Sequence, residues 1–163
     1  MYQKILVPVD GSPTSMRGLQ EAIKLARLTG ARLRLIHVVD ELALATGLEG
    51  ATMMTGDMLQ LLREGGAQLL AKAKARVEKA GLRVDTVLCD GLSGRICDQV
   101  VDQAKAWRAG LIVLGTHGRR GVGRMLLGSD AEQVIRTATV PVLLVRSGGD
   151  AEAPSGGAGV PVP

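Results

Sequence analysis

Five short aliphatic runs recur along this 163-residue chain, and segments with helical spacing of apolar residues separate them. Runs of this length, rich in β-branched residues, predict strands, and their alternation with helices predicts a mainly parallel sheet covered by helices on both faces. In such sheets, ligands bind beyond the carboxyl ends of the strands, where the winding reverses. The five predicted strands are Ile5–Val9, Leu33–Val39, Val84–Cys89, Leu111–Leu114 and Val142–Val145.

Turn and cap residues mark the predicted helix ends between these runs. Ser12 and Pro13 form a start signal for the first helix, and Gly110 is predicted to end the helix before the fourth strand. Residues 41–56 lack periodicity and are interpreted as a mobile connection. The Gly65-Gly66 pair should weaken the middle of the long helix that follows.

The aromatic content excludes several classes of binding protein. The chain has no phenylalanine, one tyrosine (Tyr2) and one tryptophan (Trp107), so its core must be aliphatic. This argues against proteins that stack single-stranded nucleic acid on aromatic rings. The net charge of +4 suits an anionic ligand without requiring DNA. We therefore expect no nucleic-acid partner.

Cysteine use and hydropathy indicate the compartment. Cys89 and Cys97 are too few for a disulfide scaffold and match no zinc pattern, so we interpret them as reduced thiols of a cytoplasmic protein. No apolar run is long enough to span a membrane. Residues 147–163 are rich in Gly, Pro and Ser and are predicted to be a disordered tail, which leaves one domain over residues 1–146.

A glycine-rich segment follows the fourth predicted strand. Two residues separate Gly115 from Gly118, nine residues separate Gly118 from Gly128, and Ser129 comes next. Gly115 allows a sharp turn after a buried strand, and a helix beginning at Gly128-Ser129 would offer free N–H groups to an anion. The spacing indicates a phosphate-binding loop; a glycine-rich surface loop with a Ser-capped helix is the alternative. No Walker A or Rossmann fingerprint is present.

This glycine pattern and two further motifs resemble the ATP-binding branch of the universal stress protein family. The further motifs are KILVPVDGS at Lys4–Ser12 and LIHVV at Leu35–Val39, and the resemblance covers roughly residues 2–146. It implies a single-domain Rossmann-like fold, similar to the adenine nucleotide alpha hydrolases, with a five-stranded parallel sheet in the order 3-2-1-4-5. It also implies binding of ATP, ADP or AMP, with Mg²⁺ or Mn²⁺ as a candidate metal.

The same resemblance implies the site residues. Asp10 would lie near the ribose or phosphates and is the candidate metal ligand, while the main chain of Val38 would recognise adenine. Asp10 as a simple turn residue, Val38 as a core valine and His37 as a satisfied sheet histidine are the structural alternatives. The roles of three further loop residues, His117, Arg120 and Arg124, stay open. The implied nucleotide-binding set is Pro8, Val9, Asp10, Val38, Gly115, Thr116, Gly118, Arg119, Gly128, Ser129 and Val142.

Two functions follow from this resemblance. One is a nucleotide-dependent regulatory module of the stress response, with an unidentified protein partner. The other is a slow metal-dependent ATPase or nucleotide hydrolase, although residues 115–129 contain no carboxylate to act as a base. A different doubly wound domain, such as a flavoprotein-like subunit, is a third interpretation. We also predict a homodimer through Val142–Val145, because an apolar edge strand needs cover.

Overall fold

The computed structural model describes residues 2–39, 56–90, 94–116 and 128–146, except for the side chains of residues 56 and 57. Strands and helices alternate throughout these ranges. The strands are β1 (Lys4–Pro8), β2 (Arg32–Val38), β3 (Val84–Cys89), β4 (Leu111–Gly115) and β5 (Val142–Val145). The helices are α1 (Pro13–Thr29), α2 (Gly56–Lys79), α3 (Ile96–Trp107) and α4 (Ser129–Thr137).

The strands form one parallel sheet in the order β3-β2-β1-β4-β5, which confirms the predicted topology. β1 is central and pairs with β2 on one side and β4 on the other. The winding therefore reverses between β1 and β4. This places the expected ligand position beyond the carboxyl ends of these two strands.

Two aliphatic cores lie on opposite faces of the sheet. Successive residues of a strand point to opposite faces, so Val7 packs in the core beneath α1 and α2, while Leu6 packs beneath α3 and α4. The two central strands are apolar on both faces because both faces are covered. The first core includes Leu19, Leu35, Ala73 and Val77, and the second includes Ile36, Val100, Ile112 and Val134.

The helix ends agree with the sequence at α1 and differ at α3. Ser12 is the N-cap of α1 and Pro13 is its first residue, as predicted. α3 ends at Trp107, and Arg108, rather than Gly110, adopts the left-handed conformation with φ of 55°. Gly110 instead begins the approach to β4, where its N–H donates to the Lys4 carbonyl at 2.9 Å. The prediction for Gly110 is therefore wrong, because a non-glycine residue supplies the left-handed turn.

The predicted connection over 41–56, apart from Gly56 at the start of α2, lies outside the described residues, as does the predicted tail over 147–163. None of the helices in the described ranges has the length and hydropathy needed to cross a bilayer.

Candidate functional site

The loop after β1 is shaped by its own side chains. Asp10 Oδ1 accepts a hydrogen bond from the Ser12 N–H at 2.9 Å, and Ser12 Oγ accepts one from the Ser15 N–H at 3.2 Å. The Ser15 hydroxyl in turn donates to the Ser12 carbonyl at 3.0 Å. Asp10 therefore forms an Asx turn that leads into a helix cap. Asp10 is therefore a turn residue, as the alternative to its binding role states, but Ser12 and not Asp10 caps α1.

The main chain of Val38 faces the end of β1. The Val39 N–H donates to the Cys89 carbonyl of β3 at 2.9 Å. Because neighbouring residues in a strand direct their N–H and C=O groups to opposite sides, those of Val38 point toward β1. The pairing of β1 with β2 has ended by then, at Pro8 and Ile36. The Val38 side chain is buried in the core, so this residue is a core valine whose main chain faces the carboxyl edge of β1.

Gly115, the last residue of β4, packs directly against the backbone at the start of α1. A Cβ added at Gly115 would lie 2.8 Å from Ser15 N and 2.9 Å from the Thr14 carbonyl oxygen. Only glycine permits this approach, because backbone atoms cannot move aside as a flexible side chain can. The contact holds the first turn of α1 against β4 and sets the distance between the two loops of the candidate site.

The two ends of the glycine-rich segment are tied together. The Gly128 N–H donates to the Thr116 carbonyl at 2.9 Å, and the Thr116 N–H donates to the Val145 carbonyl at 3.0 Å. Gly128 is the N-cap of α4 and has no side chain to satisfy the helix, so the cap alternative for Ser129 does not hold. Ser129 is the first helical residue and is exposed. Its hydroxyl therefore lies in the first turn of a helix whose own N-cap residue supplies no side-chain hydrogen bond.

The structure brings most of the predicted site residues to one edge of the sheet. Val142 is the exception. It pairs with Ile112, whereas Val145 pairs with Gly115 at the site edge. β5 runs parallel to β4, so Val142 lies about 10 Å from that edge, at 3.3 Å per residue. We therefore remove Val142 from the candidate site. Pro8, Val9, Asp10, Val38, Gly115, Thr116, Gly128 and Ser129 lie at strand ends or helix starts on this edge, while Gly118, Arg119, His117, Arg120 and Arg124 lie outside the described residues.

Sequence reasoning missed a contact beside this site. His37 is buried, as its structural alternative states, and its Nδ1 lies 2.7 Å from the Val9 carbonyl oxygen. The ring packs against Gly66, where an added Cβ would lie 2.6 Å from His37 Cδ2. A glycine inside a long helix lowers the stability of that helix. Its presence there therefore indicates that another group approaches the helix backbone closely.

Cys97 is buried in the core beneath α3 and α4, and Cys89 is partly buried and packs against the same core. Burial raises the pKa of the Cys89 thiol, with a further contribution from Asp90. Burial also raises the pKa of Cys97, and Asp98 adds to this effect. Thiols with raised pKa values are poor nucleophiles at neutral pH, which agrees with their interpretation as reduced structural residues.

Both aromatic residues lie at the opposite edge of the sheet. The Lys4 ammonium donates to the Trp107 carbonyl at 3.0 Å, and the Arg34 guanidinium lies 4.6 Å from the centroid of the Trp107 ring. Tyr2 lies near Gly110, next to a shallow hollow at the start of β1. A base bound at the carboxyl edge would therefore meet no aromatic ring from the described residues.

Comparison with known proteins agrees with this architecture. A model of the universal stress protein family matches residues 1–146. Universal stress protein MJ0531 of Methanocaldococcus jannaschii is 37% identical over 148 residues, which cover 90% of this chain and 83% of the relative.

Solved structures show the same fold. The structure of MJ0577, from the same organism, superposes with a TM-score of 0.78 at 28% identity and covers 91% of this chain and 99% of the other. A universal stress protein of Archaeoglobus fulgidus in complex with dAMP gives a TM-score of 0.62 at 27% identity, covering 88% and 98%. Because the family match spans every residue that the structure describes, this chain belongs to the universal stress protein family.

Proposed function

We propose that this protein binds adenine nucleotides, with ATP as the principal ligand, at the carboxyl ends of β1 and β4. The observation that carries the proposal is the convergence of three main-chain features on this edge. The Val38 main chain faces the end of β1, Gly115 packs on α1, and Gly128 bonds to Thr116. The dAMP complex of the Archaeoglobus relative supports an adenine nucleotide as the ligand class.

Each part of the nucleotide has a matching feature in this arrangement. The N–H and C=O groups of Val38 suit the polar edge of adenine, and aliphatic side chains would cover its faces. The N-terminus of α4, where the N-cap Gly128 has no side chain and Ser129 follows, suits a phosphate. In our proposal, Gly118 and Arg119 complete the phosphate contacts.

Asp10 suits a divalent cation that enters with the phosphates. Mg²⁺ usually binds one or two carboxylates and completes its octahedron with phosphate oxygens and water. Within the described ranges, no group of three or more His, Cys, Asp or Glu residues is placed to hold a metal alone. In the proposed site, Asp10 would therefore share the ion with ATP, and the ion would neutralise phosphate charge.

We further propose that nucleotide occupancy regulates binding of a protein partner in the cytoplasm. The proposed ligand would contact both ends of the 115–128 segment and the loop after β1, so bound and free protein would differ at that surface. The proposed dimer would use β5, which is an edge strand of the sheet. Leu143 on this strand is 38% exposed, an apolar surface that a second copy would cover.

Isothermal titration with ATP, ADP and AMP, and with GTP for comparison, tests the proposal. We expect a Kd for ATP below the millimolar range and weaker binding of GTP. Ser129→Glu should weaken ATP binding at least tenfold, because it adds negative charge at the proposed phosphate position. Gln133→Glu adds the same charge one turn later on α4 and serves as the matched control. Binding that is absent in the unmodified protein, or equal in both variants, contradicts the proposed site.

A further inference from the structure

The imidazole of His37 binds the last backbone carbonyl of β1. His37 Nδ1 lies 2.7 Å from the Val9 oxygen, and a carbonyl can only accept, so Nδ1 carries the hydrogen. The Val9 N–H donates to the Ile36 carbonyl of the same neighbouring strand at 2.8 Å. Both polar backbone atoms of Val9 are therefore held by β2, one residue before Asp10.

This side-chain bond stands where a regular ladder would have a backbone bond. If β1 and β2 stayed paired for one more residue, the Val9 carbonyl would accept from the Val38 N–H. The pairing of β1 with β2 ends at Pro8 and Ile36, and the His37 ring donates to the carbonyl instead. The bond thus lies at the position where the ladder ends, just before Val38 and the loop that begins α1.

Gly66 fixes the ring in this position. A Cβ at Gly66 would lie 2.6 Å from His37 Cδ2 and 3.2 Å from Nε2, and 2.9 Å from a methyl carbon of Leu88. The backbone of α2 therefore lies directly against the imidazole. The preceding residue, Gly65, has no atom within 4 Å of such a Cβ, so the restriction belongs to Gly66 and not to the pair.

We infer that His37 is a positioning residue of the nucleotide site, held in place by Gly66. It keeps the Val9 carbonyl away from the Val38 N–H, which leaves the Val38 main chain directed at the base, and it fixes the backbone that carries Asp10. This inference rests on the proposed function for its ligand. The geometry of Val9 and Asp10 can be tested without the ligand.

Two replacements of His37 separate positioning from packing. The amide nitrogen of asparagine lies about where Nδ1 lies, whereas that of glutamine lies about where Nε2 lies. His37→Asn can keep the bond to Val9, and His37→Gln cannot reach it in the same geometry. We expect His37→Gln to weaken ATP binding about tenfold and His37→Asn to stay within about threefold of the unmodified protein, as the loss of one hydrogen bond predicts. Thermal unfolding of both variants measures the packing effect.

The glycine pair supplies an independent comparison. Gly66→Ala should displace the ring and weaken ATP binding about tenfold, whereas Gly65→Ala adds the same methyl group and should leave affinity unchanged. Amide exchange at Asp10 and Ser12 in the free protein should be faster in His37→Gln than in His37→Asn. Equal exchange and equal affinity in the two His37 variants would overturn the inference. If the unmodified protein binds no nucleotide, the proposed function fails, and amide exchange alone then decides whether His37 positions Val9.

Discussion

Gly115 lies so close to Ser15 that a Cβ on the glycine would be 2.8 Å from the serine backbone nitrogen. Gly115 thus ends the strand β4 and also contacts the first turn of α1, the helix that follows the loop after β1. The two loops that the topology brings together are held at a fixed separation by this backbone contact. Any change here should affect folding and the candidate site together.

Gly115→Ala should lower the free energy of unfolding by about 1–3 kcal/mol, because a methyl group forced into packed backbone displaces its surroundings. Gly18→Ala is the matched control on the other side of the same interface. Its Cβ would lie 3.5 Å from Gly115 N, an ordinary contact, so helix propensity should raise stability by up to about 1 kcal/mol. Urea unfolding of both variants checks this. Similar free energies of unfolding for the two variants would contradict the prediction, because they would show that the backbone at Gly115 can move to accommodate a methyl group.

Asp85 should make stability depend on acid pH. The hydrogen bond from the Arg34 guanidinium holds the pKa of Asp85 below its usual value against the effect of burial, and the charges of Arg34 and Arg32 lower it further. A carboxyl with a lowered pKa in the folded state stabilises the protein above its unfolded pKa, and this contribution is lost as pH falls through the folded pKa. Arg34 donates to it from Nε and Nη2, both at 2.9 Å.

We therefore expect Asp85→Asn to cost about 1–2 kcal/mol at pH 7 and progressively less below about pH 4. Denaturant unfolding across this range measures the difference. Glu21→Gln removes the exposed pair with Lys24 and should change stability by less than about 0.5 kcal/mol at either pH. A pH-independent cost at Asp85 would assign the effect to packing instead.

The strands and the parallel sheet could be predicted because the aliphatic runs and cap residues such as Ser12 are local signals, whereas the strand order came from the resemblance to the universal stress protein family. The role of Gly66 could not, since the ring that it contacts belongs to a strand that is distant in sequence. The prediction for Val142 is wrong for a related reason. The resemblance assigns this residue to the site, but the direction of β5 decides whether it lies at the carboxyl or the amino end of the sheet. Gly110 shows the limit of glycine as a stop signal, because Arg108 adopts the left-handed turn itself.

The outer edge of β5 offers a test of the proposed dimer. The Ile112 N–H donates to the Pro141 carbonyl and the Thr116 N–H to the Val145 carbonyl, so alternate residues of β5 face β4. By this alternation, the N–H of Leu144 points away from β4. Leu144→Pro should therefore remove a donor from the free edge and keep the bonds to β4, since edge strands tolerate proline where the N–H faces outward.

Light scattering should report a dimer for the unmodified protein and a monomer for Leu144→Pro, with unchanged circular dichroism. Leu143→Glu, which places a charge on the exposed apolar side chain of the same strand, is the second variant if proline disturbs folding. A monomer in the unmodified protein at micromolar concentration contradicts the proposed interface, as does a dimer that persists in both variants.

Asp10 has two separable roles, one in the turn and one proposed at the metal. Its Oδ1 accepts the Ser12 N–H, and an asparagine can keep that bond through its own oxygen while losing the negative charge. Asp10→Asn should therefore keep nearly all of the stability, whereas Asp10→Ala should lose about 1 kcal/mol with the turn bond. If the carboxylate shares Mg²⁺ with ATP, the unmodified protein should bind ATP more tightly with Mg²⁺ than with EDTA.

Both variants should lose this dependence on Mg²⁺, because neither retains the charge that binds the ion. The combination is diagnostic: asparagine separates the metal effect from the turn, and alanine removes both. A Mg²⁺ dependence that survives in Asp10→Asn would assign the ion to other residues. The same pair decides the hydrolase alternative, since ATP turnover that is equal in the unmodified protein and in Asp10→Ala cannot depend on a metal held by Asp10.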